Sequence, residues 1–555
     1  MKKIISTHHT TLLFVVLLFG MSFLYRYDKI ITLRPCSIHQ HRQCDCLSMT
    51  YNYYQYHTNF FEPQTNLLTG KDFKGKNVSE LPILHYGVAQ LWKVFGYHEW
   101  IYRLVVLLIM YAGLLALFKV FQHLLNDPFW QIILPLWLFS SPILIYYGNN
   151  FLADVPALSF AFAGWYFFTC YVRKQRTSCL IWAFVFFCLA MLLKITAGMN
   201  FLAFGGLFLT ERMKIINSGA KPVFKKPALT LTFIIITSAI VFAWYFYAYH
   251  YNSTHLRPDE APAFLTGILP IWGLSYAEII AIVRIILDFQ IGNYFNTAGL
   301  LMILGFFVIV LLNYKKQNPR LLIVNIIIFL SCIGGIILWF RVFDVHDYYL
   351  TNYLVFIPAT CLTFFWFVQT EYPRLYKSLK LKIPVLLLVV LGVCYGQAVT
   401  KARYASADTP EQDYSPLLSR YEVDNYRYAH WMYPQEKLAF ETITPYLRSI
   451  GISEQDKVFS FPEPSSNITL YLMRQRGIAL QRDNGVELFK YLDFYKDLHI
   501  KYFILGDSTL LHDDLIKKIL SKKIGQYQTV SIYDISRLDS ITGNTNSVRS
   551  QDSPH

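Results

Sequence analysis

Apolar runs of membrane-spanning length recur along this chain with short polar connections between them, and that pattern restricts the fold more than any single motif. A helix needs about 20 apolar residues to cross the hydrocarbon of a bilayer. On that criterion eleven spans are predicted, near 10–26, 99–118, 128–147, 151–170, 178–193, 198–211, 228–249, 294–313, 321–340, 350–369 and 383–399. Only 15% of the 555 residues are charged and 54% are apolar, whereas a soluble domain carries about 25% charge. The formal charge of +14 therefore reads as orientation and attraction to anionic headgroups, not as nucleic-acid binding.

The basic residues alternate between sides. With the N-terminus inside, the inner connections hold Lys119, then Arg173, Lys174 and Arg176, then Arg212, Lys214, Lys221, Lys225 and Lys226, then Lys315, Lys316 and Arg320, then Arg374, Lys377, Lys380 and Lys382. The short outer connections hold only Lys194, Arg257 and Arg341, as the positive-inside rule requires. The first run follows Lys2 and Lys3 without a small-residue cleavage site after it, so it reads as a retained anchor. The expected organisation is a transmembrane domain over 1–400 with a first outer loop at 27–98, an outer α/β domain over 401–535, and a disordered tail over 536–555.

Two outer segments, "ELPILHYGVAQLWKVFG" and "AEIIAIVRIILDFQIG", have the spacing of helices lying at the interface. Beyond 402 charge rises, and "KVFSF", "GIAL", "KYFILG" and "TVSIYDI" read as strands between helices near 434–450, 466–475, 485–497 and 510–521. The fold class is thus a polytopic helical membrane protein with amphipathic interfacial helices and a small C-terminal α/β domain.

Ionisable residues at span ends are costly and are candidate sites by default. Asp45, Glu80, Asp154, Lys194 and the cluster in "RVFDVHDYYLTNY" (Arg341, His346, Asp347, Tyr348, Tyr349) all fall on the outer face under this topology. Taken singly, each also reads as a snorkelling or capping residue. Together they suit a reaction in which a carboxylate deprotonates a hydroxyl while cations and phenols stabilise a departing phosphate.

The order of these motifs resembles the integral-membrane GT-C glycosyltransferases, in particular the group containing protein O-mannosyltransferases and the lipid A aminoarabinose transferase. The segments that carry the resemblance are "MTYNYYQYHTNFFEPQTN" after Asp45, "ELPILHYGVAQLWKVFGYHEWIYRL", "SSPILIYYGNNFLADVPALSF", "LAMLLKITAG" and "HDYYLTNYLVFIPA", over about 40–365. It implies inverting transfer of a sugar from a polyprenyl-phosphate donor to a glycan, lipid or protein hydroxyl on the outer, periplasmic face of a bacterial inner membrane. It implies Asp45 as general base and Asp154 as a second acid near the donor, with Lys194, Arg103, Arg341, His346, Tyr348 and Tyr349 as phosphate and sugar contacts. Glu80 falls at a metal-associated glutamate of the group, so a divalent ion held with His255 or His346 is the cofactor it allows. Leu81 stands where the lipid A enzyme has a lysine.

Rival classes are an O-antigen ligase or polymerase and, further off, a lipid or sugar transporter; the unmatched halves of the chain argue against the transporter. Neither a Rossmann nor a Walker glycine-rich phosphate loop occurs. Cys36, Cys44 and Cys46 lie in the same polar loop as Asp45. The spacing of "HRQCDC" is tighter than usual zinc patterns, so a disulfide clasp from Cys36 to Cys44 or Cys46 is the alternative expectation on an oxidising face.

Overall fold

The computed structural model describes residues 2–215, 222–257, 267–406, 408–432, 437–463, 467–480, 498–507, 509–510, 517, 520 and 522–536. The chain divides into two compact units. One comprises Met1–Leu33, His98–Ala248 and Thr266–Tyr426; the other comprises Arg34–Tyr97, Tyr249–Leu265 and Arg427–His555. The boundary expected at 400 instead falls inside the helix Leu379–Arg403. The first outer loop groups with the C-terminal segment and not with the spans.

The first unit is helical. Among the described residues six helices are long and apolar enough to cross a membrane, or up to eight if each of two bent pairs counts as one span. His8–Leu24 and Thr177–Leu193 are shorter apolar helices. The protein is an integral membrane protein, although the full eleven spans do not appear as eleven straight helices. The expected span at 128–147 is the pair Pro128–Leu138 and Pro142–Gly148, bent by 74°. Pro142 has no amide hydrogen to continue the first helix and instead starts the second. The segment "AEIIAIVRIILDFQIG", expected at the interface, forms Tyr276–Ile285 and a π turn at Ile286–Gln290, then meets Thr297–Leu312 at 91°. Asn296 caps that last helix by accepting from the amide of Gly299.

Burial separates the spans. The apolar window of Asp347–Glu371 is 83% buried, whereas that of Pro319–Leu338 is 17% buried, so the first is central and the second faces lipid. The helices Glu99–Leu124 and Asp154–Lys174 touch at Gly113, where a Cβ would collide with the side chain of Ser159. Small residues let helix backbones approach closely where no hydrophobic driving force separates protein from lipid.

The second unit is built on a five-stranded sheet of β1 (Lys457–Phe461), β2 (Arg476–Ala479), β3 (Tyr502–Leu505), β4 (Lys523–Tyr527) and β5 (Val530–Asp534), in the order β2-β1-β3-β5-β4. The β1 strand pairs in parallel with β2 and β3, while β5 runs antiparallel to β3 and β4. Four of these strands are the predicted ones; β4 was not predicted, because in "KIGQY" the two β-formers Ile524 and Tyr527 are separated by Gly525 and Gln526 and do not alternate. The predicted helix at 434–450 is two short helices, Leu438–Thr442 and Thr444–Ser449. The predicted helix at 485–497 and nearly all of that at 510–521 and of the tail lie outside the described residues.

Loop and sheet share one core. Leu68 packs with Phe459, Phe461, Ile478, Phe503 and Leu505. The amide of Leu68 donates to Gly477 O at 2.8 Å, and the amide of Gly477 to Asn66 O at 3.0 Å. The loop also forms two helices, Gln40–Gln55 and Ile83–Phe95. The second is amphipathic, with Leu84, Val88, Ala89 and Trp92 inward and Val94 and Phe95 exposed, as its spacing predicts. The expected clasp does not form: Cys36, Cys44 and Cys46 are not joined by a disulfide. Cys44 and Cys46 stand two residues apart on one helix and so point to different sides of it.

Candidate active site

In the helical unit, Asp154 lies in the first turn of its helix and Lys194 ends the helix Thr177–Leu193. Lys194 Nζ is 3.4 Å from Asp154 Oδ1, and both side chains are buried. The same ammonium lies 5.4 Å from the ring centre of Tyr348 and 5.1 Å from that of Tyr349. The two rings stack at 4.9 Å, and His346 packs on Tyr348 at 5.3 Å. A carboxylate and two π faces thus hold one cation at the ends of spans.

These tyrosines belong to Asp347–Val355, a nine-residue 3-10 segment. Such runs seldom exceed three or four residues, and this one is anchored. Asp347 accepts a hydrogen bond from Tyr147 and pairs with Arg403 Nη2 at 2.6 Å, with 0% and 1% of the Arg403 and Asp347 side chains exposed. Arg403 Nη2 also donates to Asn293 Oδ1 at 2.8 Å, which accepts from Tyr426 at the same distance. Sequence reasoning missed Arg403, which reads as one more basic residue after a span.

In the other unit, Arg42 and Asp45 lie one turn apart on Gln40–Gln55 and so share a face. Arg42 Nη2 is 3.2 Å from both oxygens of Glu80, and Ser79 donates to the same carboxylate. Asn467 donates to Asp45 Oδ1 at 3.2 Å. Burial pushes the Asp45 carboxyl up to about 6, against the opposing pull of Arg42 and the Asn467 hydrogen bond. Burial likewise pushes the buried His85 imidazole down to about 4, with Glu80 opposing and Arg42 reinforcing. The position of Asn467, more than 400 residues from Asp45, left no signal in the sequence.

The remaining candidates are placed differently. Arg103 is fully buried, with Nε donating to Leu33 O at 3.2 Å, Nη1 to Asn149 O, and its guanidinium 4.1 Å over Phe151. Arg341 is exposed, in the field of Glu278 and Asp344. His255 Nδ1 lies 2.8 Å from the carbonyl of Tyr251, one turn back on its own helix. Among the described residues no cluster of three metal-ligating side chains includes Glu80 or His255. Both Glu80 oxygens lie against Arg42.

Known structures resemble the chain over nearly its whole length. ArnT from Cupriavidus metallidurans in the apo state aligns with a TM-score of 0.56 at 11% identity, covering 96% of this chain and 99% of that one. The same protein bound to undecaprenyl phosphate gives 0.56 at 11%, covering 94% and 97%. The chain has a GT-C fold. A further GT-C structure, the arabinofuranosyltransferase AftD from Mycobacteria, aligns at 0.50 with 12% identity, over 94% of this chain and 41% of that one. The family described as dolichyl-phosphate-mannose-protein mannosyltransferase matches residues 80–246, a stretch that holds Glu80, Asp154 and Lys194. No curated protein matches the sequence.

Proposed function

We propose that this GT-C protein is a membrane glycosyltransferase that moves a sugar from a polyprenyl-phosphate donor to an acceptor hydroxyl, with inversion. The observation that carries the reading is Lys194, held by Asp154 and the faces of Tyr348 and Tyr349 within a fold whose relative binds undecaprenyl phosphate. A cation in such a frame suits a phosphate that gains charge as the glycosidic bond breaks. His346, against Tyr348, belongs to the same frame.

Asp45 is the general base. Its carboxyl, raised to about 6, is mostly ionised at neutral pH and is a stronger base than a solvated aspartate. It takes the proton of the acceptor hydroxyl; the oxygen bonds to the anomeric carbon; the bond from that carbon to the phosphate oxygen breaks, and polyprenyl phosphate leaves. Arg42, paired with Glu80 and one turn from Asp45, steadies the carboxylate electrostatically. No step is assigned to a metal ion. The donor sugar is a hexose or pentose, and the reaction takes place on the outer, periplasmic face of the inner membrane.

The test is transfer from a radiolabelled polyprenyl-phosphate sugar by the purified protein in liposomes. Formation of a glycoside by the wild type and its loss in Asp45→Asn are expected. Movement of the lipid-linked sugar between leaflets without glycoside formation would refute the reading.

A further inference from the structure

The first and last long helices of the helical unit are lipid-facing. Leu12, Val16 and Phe23 are 63%, 57% and 65% exposed on one, and Leu387 and Val390 are 63% and 51% exposed on the other. Where the first helix ends, Arg26 takes a left-handed backbone conformation (φ 61°) and turns the chain into the short helix Tyr27–Ile30, which carries Lys29. The last turn of Leu379–Arg403 carries Lys401. Between these ends lies a cavity of about 620 Å³.

Its wall combines two chemistries. Arg26, Lys29 and Lys401 line it, and no carboxylate does. Among the described residues none of the three cations takes part in an ion pair; Lys401 Nζ donates to the backbone carbonyl of Asp413 at 3.3 Å. Asp28 and Asp413, the neighbouring acids in sequence, are exposed and outside the lining. Most of the remaining wall is apolar or aromatic, including Leu24, Leu33, Tyr25 and Tyr404, with Gln397, Thr400 and Ser415 as its uncharged polar members. Cations beside tyrosines at the ends of lipid-facing helices mark the headgroup level of a bilayer. Basic pockets between membrane helices bind anionic headgroups on the inner face of membranes, and the same charge attraction acts on an anionic headgroup in the outer leaflet.

We propose that this cavity binds the phosphate headgroup of an anionic membrane phospholipid, with the glycerol and upper acyl chain against the apolar wall. The site shares no residue with the Lys194 frame and stands whether or not the chain transfers sugar. A free phosphate would use the cations and leave the apolar wall empty. That wall is why a lipid is the occupant.

The test is native mass spectrometry and thermal unfolding of the full-length protein in detergent micelles doped with phosphatidylglycerol or phosphatidylcholine. One phosphatidylglycerol should stay bound per chain, with no phosphatidylcholine retained. Each cation contributes about fivefold to affinity, so Arg26→Gln, Lys29→Gln and Lys401→Gln together should weaken binding about a hundredfold. The charge-keeping Arg26→Lys, Lys29→Arg and Lys401→Arg variant should bind as the wild type does, and so should Lys315→Gln, Lys316→Gln and Lys377→Gln. Should the triple glutamine variant fail to fold, the single Lys401→Gln change reads the same effect at about fivefold. Undiminished phosphatidylglycerol retention in the glutamine variants, equal retention of phosphatidylcholine, or equal stabilisation by inorganic phosphate alone would overturn the assignment.

Discussion

At Asp45, burial of a carboxyl group carries a cost in stability that depends on pH. Its carboxyl titrates near 6 in the folded protein, while an unfolded aspartate titrates near 3.9. The folded state therefore holds a proton that the unfolded state has released. The stability this contributes is present below pH 4 and is lost as pH rises through about 6. Asp45→Asn should thus raise the stability at pH 7.5 by roughly 1 to 2 kcal/mol once partial exposure is allowed for, seen as a higher unfolding temperature, and change little at pH 4. The same variant should abolish glycosyl transfer. In the wild type the transfer rate should fall about tenfold per pH unit below 6 and level off above it, as expected for a base that must be ionised. A rate that stays flat from pH 7 down to pH 5 would remove Asp45 from that role.

Among elements, the 3-10 segment Asp347–Val355 is anchored at its first residue, which carries the buried pair with Arg403. Removing one partner of a buried pair leaves an uncompensated charge, at a cost of about 3–5 kcal/mol, whereas replacing both with apolar residues of similar volume is often neutral. Arg403→Met alone should therefore lower the unfolding temperature sharply, and Arg403→Met with Asp347→Leu should recover most of the loss. If the double variant is no more stable than the single one, the pair is not what holds the segment. Close helix contact supplies a second prediction. Gly113→Val puts a branched side chain into Ser159, and overpacking of this kind costs about 1–3 kcal/mol. Gly87, with open space around it, should accept alanine with no loss, and thermal unfolding of the two variants side by side checks the contrast.

At the scale of the whole molecule, the chain segments that build one unit are far apart in sequence. Leu68 sits in the core of the C-terminal sheet, and residues 66–68 hydrogen-bond along Gly477 on β2. Ending the chain at Tyr426 should therefore leave the 60–76 region without its partner, so that limited proteolysis cuts there in the truncated protein and spares it in the full-length one. Equal protease resistance in both would show that the loop folds without the sheet. The helical class, the positions of most spans, the amphipathic helix at 83–95 and four of five strands were legible in the sequence, because each follows from apolar periodicity over a few turns. So were Asp154, Lys194, Tyr348 and Tyr349, since charged and phenolic groups at span ends stand out against an apolar background. What the sequence could not supply was pairing over long separations. Asn467 on Asp45, Arg42 on Glu80, Arg403 on Asp347 and the loop strapped to β2 arise from how the segments pack, and no local pattern records them. The cysteines mark the limit of local reading: proximity in sequence suggested a clasp from Cys36 to Cys44 or Cys46, and no disulfide joins the three, with Cys36 outside the helix that carries the other two. Local periodicity determined which segments are helices and which face of each is apolar; only tertiary packing decided which polar groups share a site, because burial and charge pairing depend on partners hundreds of residues away.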